Sequence, residues 1–100
     1  MDFRASLFDM VQHLVNGRWD IPTFEREFYM FYLDSVPDSA LTRREHEFFG
    51  LLQERLDWTD VNPNQMERGY GWRNHEEYRA WASDLLRKFE GGEPLAYPHL

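Results

Sequence analysis

Apolar side chains recur along the chain at three- and four-residue steps in four separate stretches, each closed by turn chemistry. In the first, from Asp2 to Val15, the residues Phe3, Leu7, Met10, Val11 and Leu14 fall on one helical face. Asn16-Gly17 then supplies the left-handed stop that helix ends favour. The second stretch begins near Pro22, with Asp20 or Thr23 as its cap, and turns Phe24, Phe28, Phe31 and Tyr32 inward. It ends before Val36-Pro37-Asp38, because proline disfavours helix at the residue preceding it. The third opens on the capping box Thr42-Arg43-Arg44-Glu45 and buries Leu41, Phe48, Phe49, Leu52 and Leu56. Glu47 and Glu54 stand on its opposite side, seven residues apart. The fourth starts at Asn74, with Glu77 closing a second box. It aligns Tyr78, Trp81, Ala82, Leu85 and Phe89 before Gly91-Gly92.

Between the third and fourth stretches, residues 57–73 follow neither period and carry the turn sequences Asn62-Pro63-Asn64 and Gly69-Tyr70-Gly71. A connection of that length is unusual in a compact domain, and such loops are often functional. No run alternates as a strand would. The pattern therefore predicts an all-α protein, an antiparallel up-down-up-down four-helix bundle over residues 1–90. Residues 91–100, with Pro94 and Pro98, are expected to form a loosely ordered tail.

Composition narrows the function. The chain has 100 residues, one domain's worth. It contains no cysteine, which excludes a disulfide framework, a thiolate nucleophile and a thiolate metal site. The first residues lack the pattern of a secretory leader, and no apolar run is long enough to span a bilayer, so a cytoplasmic protein with no membrane association is expected. The net charge of −7 disfavours nucleic acid as a direct partner and favours a basic protein. That charge is concentrated: ten carboxylates face four arginines between Asp20 and Asp60, against eight carboxylates and seven basic residues elsewhere.

Catalytic signatures are missing. There is no glycine-rich phosphate loop and no nucleophile turn. His13, His46, His75 and His99 form no H-x-H, H-E-x-x-H or E-x-x-H pattern, so neither metal nor cofactor is expected. The reading is of a binding protein and not an enzyme. Carboxylates continue from the outer face of the third helix (Glu47, Glu54) into the long loop (Asp57, Asp60, Glu67), interleaved with Trp58, Tyr70 and Trp72. Loop aromatics beside concentrated charge have the composition of a steered protein-binding surface. The same rings could instead close the ends of the core.

The chain also resembles the colicin D immunity protein family and the related immunity proteins of contact-dependent growth inhibition. Ile21-Pro22-Thr23-Phe24-Glu25 leads into an aromatic second helix, and Leu41-Thr42 opens the third. The segment Glu54-Arg55-Leu56-Asp57-Trp58-Thr59-Asp60 and the Tyr78-Arg79 register of the last helix complete a likeness over roughly residues 3–90. The chain departs from the family's pattern at Thr59, where a proline is expected, and in its longer tail. The resemblance implies a monomeric four-helix bundle that binds, one-to-one, the C-terminal nuclease domain of a cognate toxin. It further implies that Glu54, Asp57 and Asp60 take the place of transfer-RNA phosphates in the basic active site. The alternative is a small acidic enzyme or accessory subunit.

Overall fold

The computed structural model describes residues 2–95, and over them the chain is all-α. The helices are α1 (Phe3–Val15), α2 (Ile21–Met30), α3 (Arg43–Leu56), α4 (Gln65–Gly69) and α5 (His75–Glu90). A π turn, Phe31–Ser35, extends α2, and a 3-10 turn, Asp38–Ala40, precedes α3. Among the described residues there is no strand, only an isolated parallel bridge between Thr59 and Arg73.

Side chains at the helix starts account for the boundaries. Asp2 accepts from the Ala5 N–H at 3.0 Å, and Asp20 from the Thr23 N–H at 2.8 Å, so Asp20 and not Thr23 caps α2. Reciprocal capping boxes open α3 (Thr42, Glu45), α4 (Asn64, Glu67) and α5 (Asn74, Glu77). The middle one corrects the expectation that residues 57–73 are irregular throughout. Asn64 and Glu67 have the spacing of a box, but Asn62-Pro63-Asn64 also reads as a turn, and that signal hides the short helix.

The core is formed by Leu7, Val11 and Leu14 of α1, Phe24 and Phe28 of α2, Phe48, Phe49 and Leu52 of α3, and Tyr78 and Ala82 of α5, all wholly buried. Phe8 links three elements from the core's margin: its ring centroid lies 4.9 Å from that of Phe49 and 5.6 Å from that of Phe89. Phe3, Met10, Phe31, Tyr32, Trp81 and Phe89, expected on inward faces, are only partly buried. Phe31 and Tyr32 lie in the π turn, where they pack on the core's margin, Tyr32 stacked on Phe28 at 5.7 Å and Phe31 against Phe3 at 6.2 Å.

Arginines complete the helix ends. Arg79 of α5 donates to the Leu14 and Trp19 carbonyls at the end of α1. Arg44 of α3 donates to the carbonyls of Lys88 (3.1 Å), Phe89 (3.2 Å) and Glu93 (2.7 Å) at the end of α5. The negative pole at the end of each helix, α1 and α5, thus receives a cation from a neighbouring helix, beside the backbone N–H groups that already reach the Leu14, Lys88 and Phe89 carbonyls.

The expected tail is held as far as it is described. Glu93 N–H bonds the Lys88 carbonyl at 2.9 Å and Gly92 N–H the Phe89 carbonyl at 3.2 Å, with Gly92 at φ 72°, which makes a Schellman end. Leu95 then tucks into the core at 7% exposure. Residues 96–100, the rest of that tail and the site of His99, lie outside the described residues.

Candidate interaction site

The stretch after α3 is closed at its base by backbone bonds. Arg73 N–H donates to the Trp58 carbonyl and Asp60 N–H to the Arg73 carbonyl, both at 3.1 Å, so Thr59 and Arg73 face each other across the bridge. Thr59 Oγ1 anchors the near side by donating to the Arg55 carbonyl at 2.8 Å. Inside this closed loop, α4 is secured at both ends. Asn64 and Glu67 cap its start, and at its end Trp72 N–H reaches the Glu67 carbonyl and Gly71 N–H the Arg68 carbonyl, each at 3.0 Å. Gly71 takes φ 91°, the left-handed conformation that this ending needs.

The loop holds large apolar side chains in water. Val61 and Met66 are each 72% exposed and Tyr70 71%, while Trp58 at 38% lies at the base. Met66 lies in α4, and Tyr70, four residues on, caps its end. Exposed apolar residues scattered singly carry no message; several on one braced loop do. The depression beside Asn64, Gln65 and Met66 is open to solvent.

The carboxylates expected in the site fall into three situations. Asp57 and Asp60 border the loop base and are exposed. Asp57 receives the Tyr29 hydroxyl at 3.2 and 3.3 Å from its two oxygens, which ties α2 to the end of α3. Asp60 Oδ1 accepts from the Val61 N–H at 2.8 Å. Glu67 is bound into the capping box, with Oε1 2.9 Å from the Asn64 nitrogen, and one of its oxygens is thereby committed to the fold. Glu54 and Glu47 stand exposed on α3, and Glu47 lies ten residues before Asp57, roughly 15 Å along a helix. The structure thus gathers Trp58, Asp60, Glu67, Tyr70 and Trp72 into the loop, adds Asp57 at its edge, and leaves Glu47 apart.

Residues missed by the sequence reading complete the surface. Tyr29, Val61 and Met66 were not among its site residues, nor were Arg55 and Arg73. The Arg55 guanidinium lies 5.5 Å from the Trp58 ring centroid and that of Arg73 4.8 Å from the Trp81 centroid. Burial, followed by the neighbouring Arg55 charge, lowers the Arg73 pKa, against the opposing pull of Glu77 and Tyr78. The Arg55–Trp58 pair, three residues apart at a helix end, was readable; the Arg73–Trp81 pair needs the fold. Among the described residues, no group of three or more His, Asp or Glu side chains is placed to hold a metal ion. Among the described residues no helix is long and apolar enough to cross a membrane.

Comparison of the chain with protein-family models, with curated proteins and with solved structures finds no match.

Proposed function

We propose that this chain is an immunity protein that binds the nuclease domain at the C-terminus of a cognate bacterial toxin and covers its basic active site. The toxin class is one that cleaves transfer RNA, as the sequence resemblance implies. The protein acts in the cytoplasm as a monomer in a one-to-one complex, without cofactor and without turnover. In this reading α1, α2, α3 and α5 stand as an antiparallel up-down-up-down bundle, supported by the packing of α1 on α2 and α5, and of α3 on α2 and α5.

The observation that carries the proposal is the braced loop. A fifteen-residue excursion, 59–73, is stapled at its base and capped internally, yet it presents Val61, Met66 and Tyr70 to solvent beside the exposed Asp57 and Asp60. Burying an apolar side chain of this size gains about 1.5–3 kcal/mol, which here is left for a partner to collect. Apolar anchors inside an acidic margin suit a basic protein, because the margin steers the encounter and the anchors slow dissociation. A transfer-RNA-cleaving cleft is basic by necessity.

The experiment is co-expression with the C-terminal domain encoded immediately upstream of the gene. The proposal expects that domain to arrest growth alone, and growth and intact transfer RNA to return when this protein is present. Continued arrest with the protein soluble and abundant contradicts it.

A further inference from the structure

The two arginines at the base of the loop are an anomaly in so acidic a chain. Arg55 sits on the last turn of α3 and Arg73 closes the bridge, and both are half-buried. Each is held against an indole: Arg55 over Trp58, Arg73 over Trp81. Trp58 and Arg73 are in turn joined by the bridge hydrogen bond, which fixes the two cation–ring pairs relative to each other. Among the described residues neither guanidinium has a carboxylate within ion-pair distance.

Potential partners are nearby and otherwise engaged. Glu77 is close enough to act on Arg73, but its Oε1 is bonded to Arg68 Nη1 at 2.9 Å and to the Asn74 N–H at 2.9 Å. Asp57 takes the Tyr29 hydroxyl, and Asp60 the Val61 N–H. Arg55 adds to the positive field at Arg73, and Glu77, shared with Arg68, opposes it only in part, so an anion between the two guanidiniums would relieve their repulsion. Guanidinium is the group best shaped to bind an oxoanion through paired N–H donors.

We propose that Arg55 and Arg73 form an oxoanion seat at the base of the 59–73 loop, which receives a carboxylate side chain of the bound protein. Phosphate shares the chemistry, but Glu54, Asp57, Asp60 and Glu77 flank the seat and repel a dianion more strongly than a monoanion. The net charge of −7 also opposes a nucleic-acid backbone. That the carboxylate comes from a toxin domain rests on the proposed function; the seat itself does not. It also adds selectivity to that reading, because a merely basic surface would leave these arginines unpaired on binding.

The test uses the free protein. Nitrogen–proton spectra of the arginine Nε–H and tryptophan indole groups are followed against sodium acetate, sodium phosphate and sodium chloride at matched ionic strength. The expected result is a saturable shift of the Arg55, Arg73, Trp58 and Trp81 signals with acetate, stronger than with phosphate and absent with chloride. Arg73→Gln and, independently, Arg55→Gln should weaken the acetate response at least about tenfold while thermal midpoints show both folded. Arg73→Lys, which keeps charge but loses the fork, should weaken it several-fold. Shifts that are linear in all three salts, or unchanged in the Gln variants, overturn the seat. Saturation by phosphate alone overturns the carboxylate assignment. Neither outcome depends on whether the upstream domain binds.

Discussion

The hydroxyl of Tyr78, wholly buried in α5, donates to the Leu52 carbonyl of α3 at 2.7 Å. Burial holds this phenol protonated, with its pKa well above the ordinary 10.0. It therefore joins two core helices as a donor at all ordinary pH. Tyr78→Phe removes the hydrogen bond and leaves a carbonyl that already serves its own helix, so it should cost about 1 kcal/mol. Tyr78→Ala also opens a cavity and should cost about 3–5 kcal/mol. Urea midpoints that fall equally for the two variants would mean that the ring contributes nothing.

Leu52 itself tests the phase of α3. It is wholly buried and Glu47 is exposed. Leu52→Ala should cost roughly 2–5 kcal/mol, whereas Glu47→Ala should stay within about 0.5 kcal/mol of the parent. Equal unfolding midpoints would place the buried face of the helix elsewhere.

Acid should weaken the fold through Glu45. The residue is only 3% exposed, and burial alone would raise its pKa. The Thr42 N–H at 2.7 Å and Arg4 Nε at 2.7 Å outweigh that and hold it below the ordinary 4.5. Because the folded pKa is depressed, this stabilisation is fully present above the unfolded value and is lost as pH falls below about 4.5 through the folded one. Glu45→Gln should flatten part of the acid limb between neutral pH and pH 3, while Glu45→Ala should cost about 1–2 kcal/mol near neutrality by removing the cap. An acid limb unchanged in Glu45→Gln would assign it wholly to other carboxylates, such as Asp20 and Asp84, whose pKa values hydrogen bonds also lower.

The closed loop should behave as a local unit. A Cβ at Gly71 would meet nothing within 4 Å, so the penalty of Gly71→Ala comes from φ 91° alone, about 1–2 kcal/mol. Hydrogen exchange at Trp72, Arg73 and Asp60 should quicken in this variant, with the core amides of α5 unchanged. Uniform quickening across the chain would show that the loop unfolds only with the whole protein.

Much of the helical skeleton was legible because periodic apolar positions and caps speak locally. The stripe Leu7, Val11, Leu14 and the boxes at Thr42 and Asn74 act within a few residues of chain. What the sequence concealed depends on distant partners. Nothing near Arg44 or Arg79 indicates that they close α5 and α1, and nothing near Arg73 indicates Trp81. Of the candidate site, the long connection and its aromatics were readable from its length and composition. The exposure of Val61 and Met66 was not, because a single apolar residue among turn signals is as compatible with burial as with display. Glu67 was readable as charge but not as half of a capping box.

The most direct measurement of the central claim is a kinetic binding series against the proposed partner, the C-terminal domain encoded upstream, at two salt concentrations. Asp60→Ala should weaken binding at least about tenfold, consistent with a loss of about 2–5 kcal/mol on truncating one partner of a close charge pair, and Asp57→Ala should act in the same direction. Tyr70→Ala and Met66→Ala should speed dissociation while leaving association nearly unchanged. Glu90→Ala, exposed at the end of α5, should bind like the parent. Association of the parent should slow as salt rises, since steering is screened beyond about 8 Å at physiological ionic strength. If the loop variants all bind like the parent, and salt leaves the association rate unchanged, the braced acidic loop is not the binding surface and the account is contradicted.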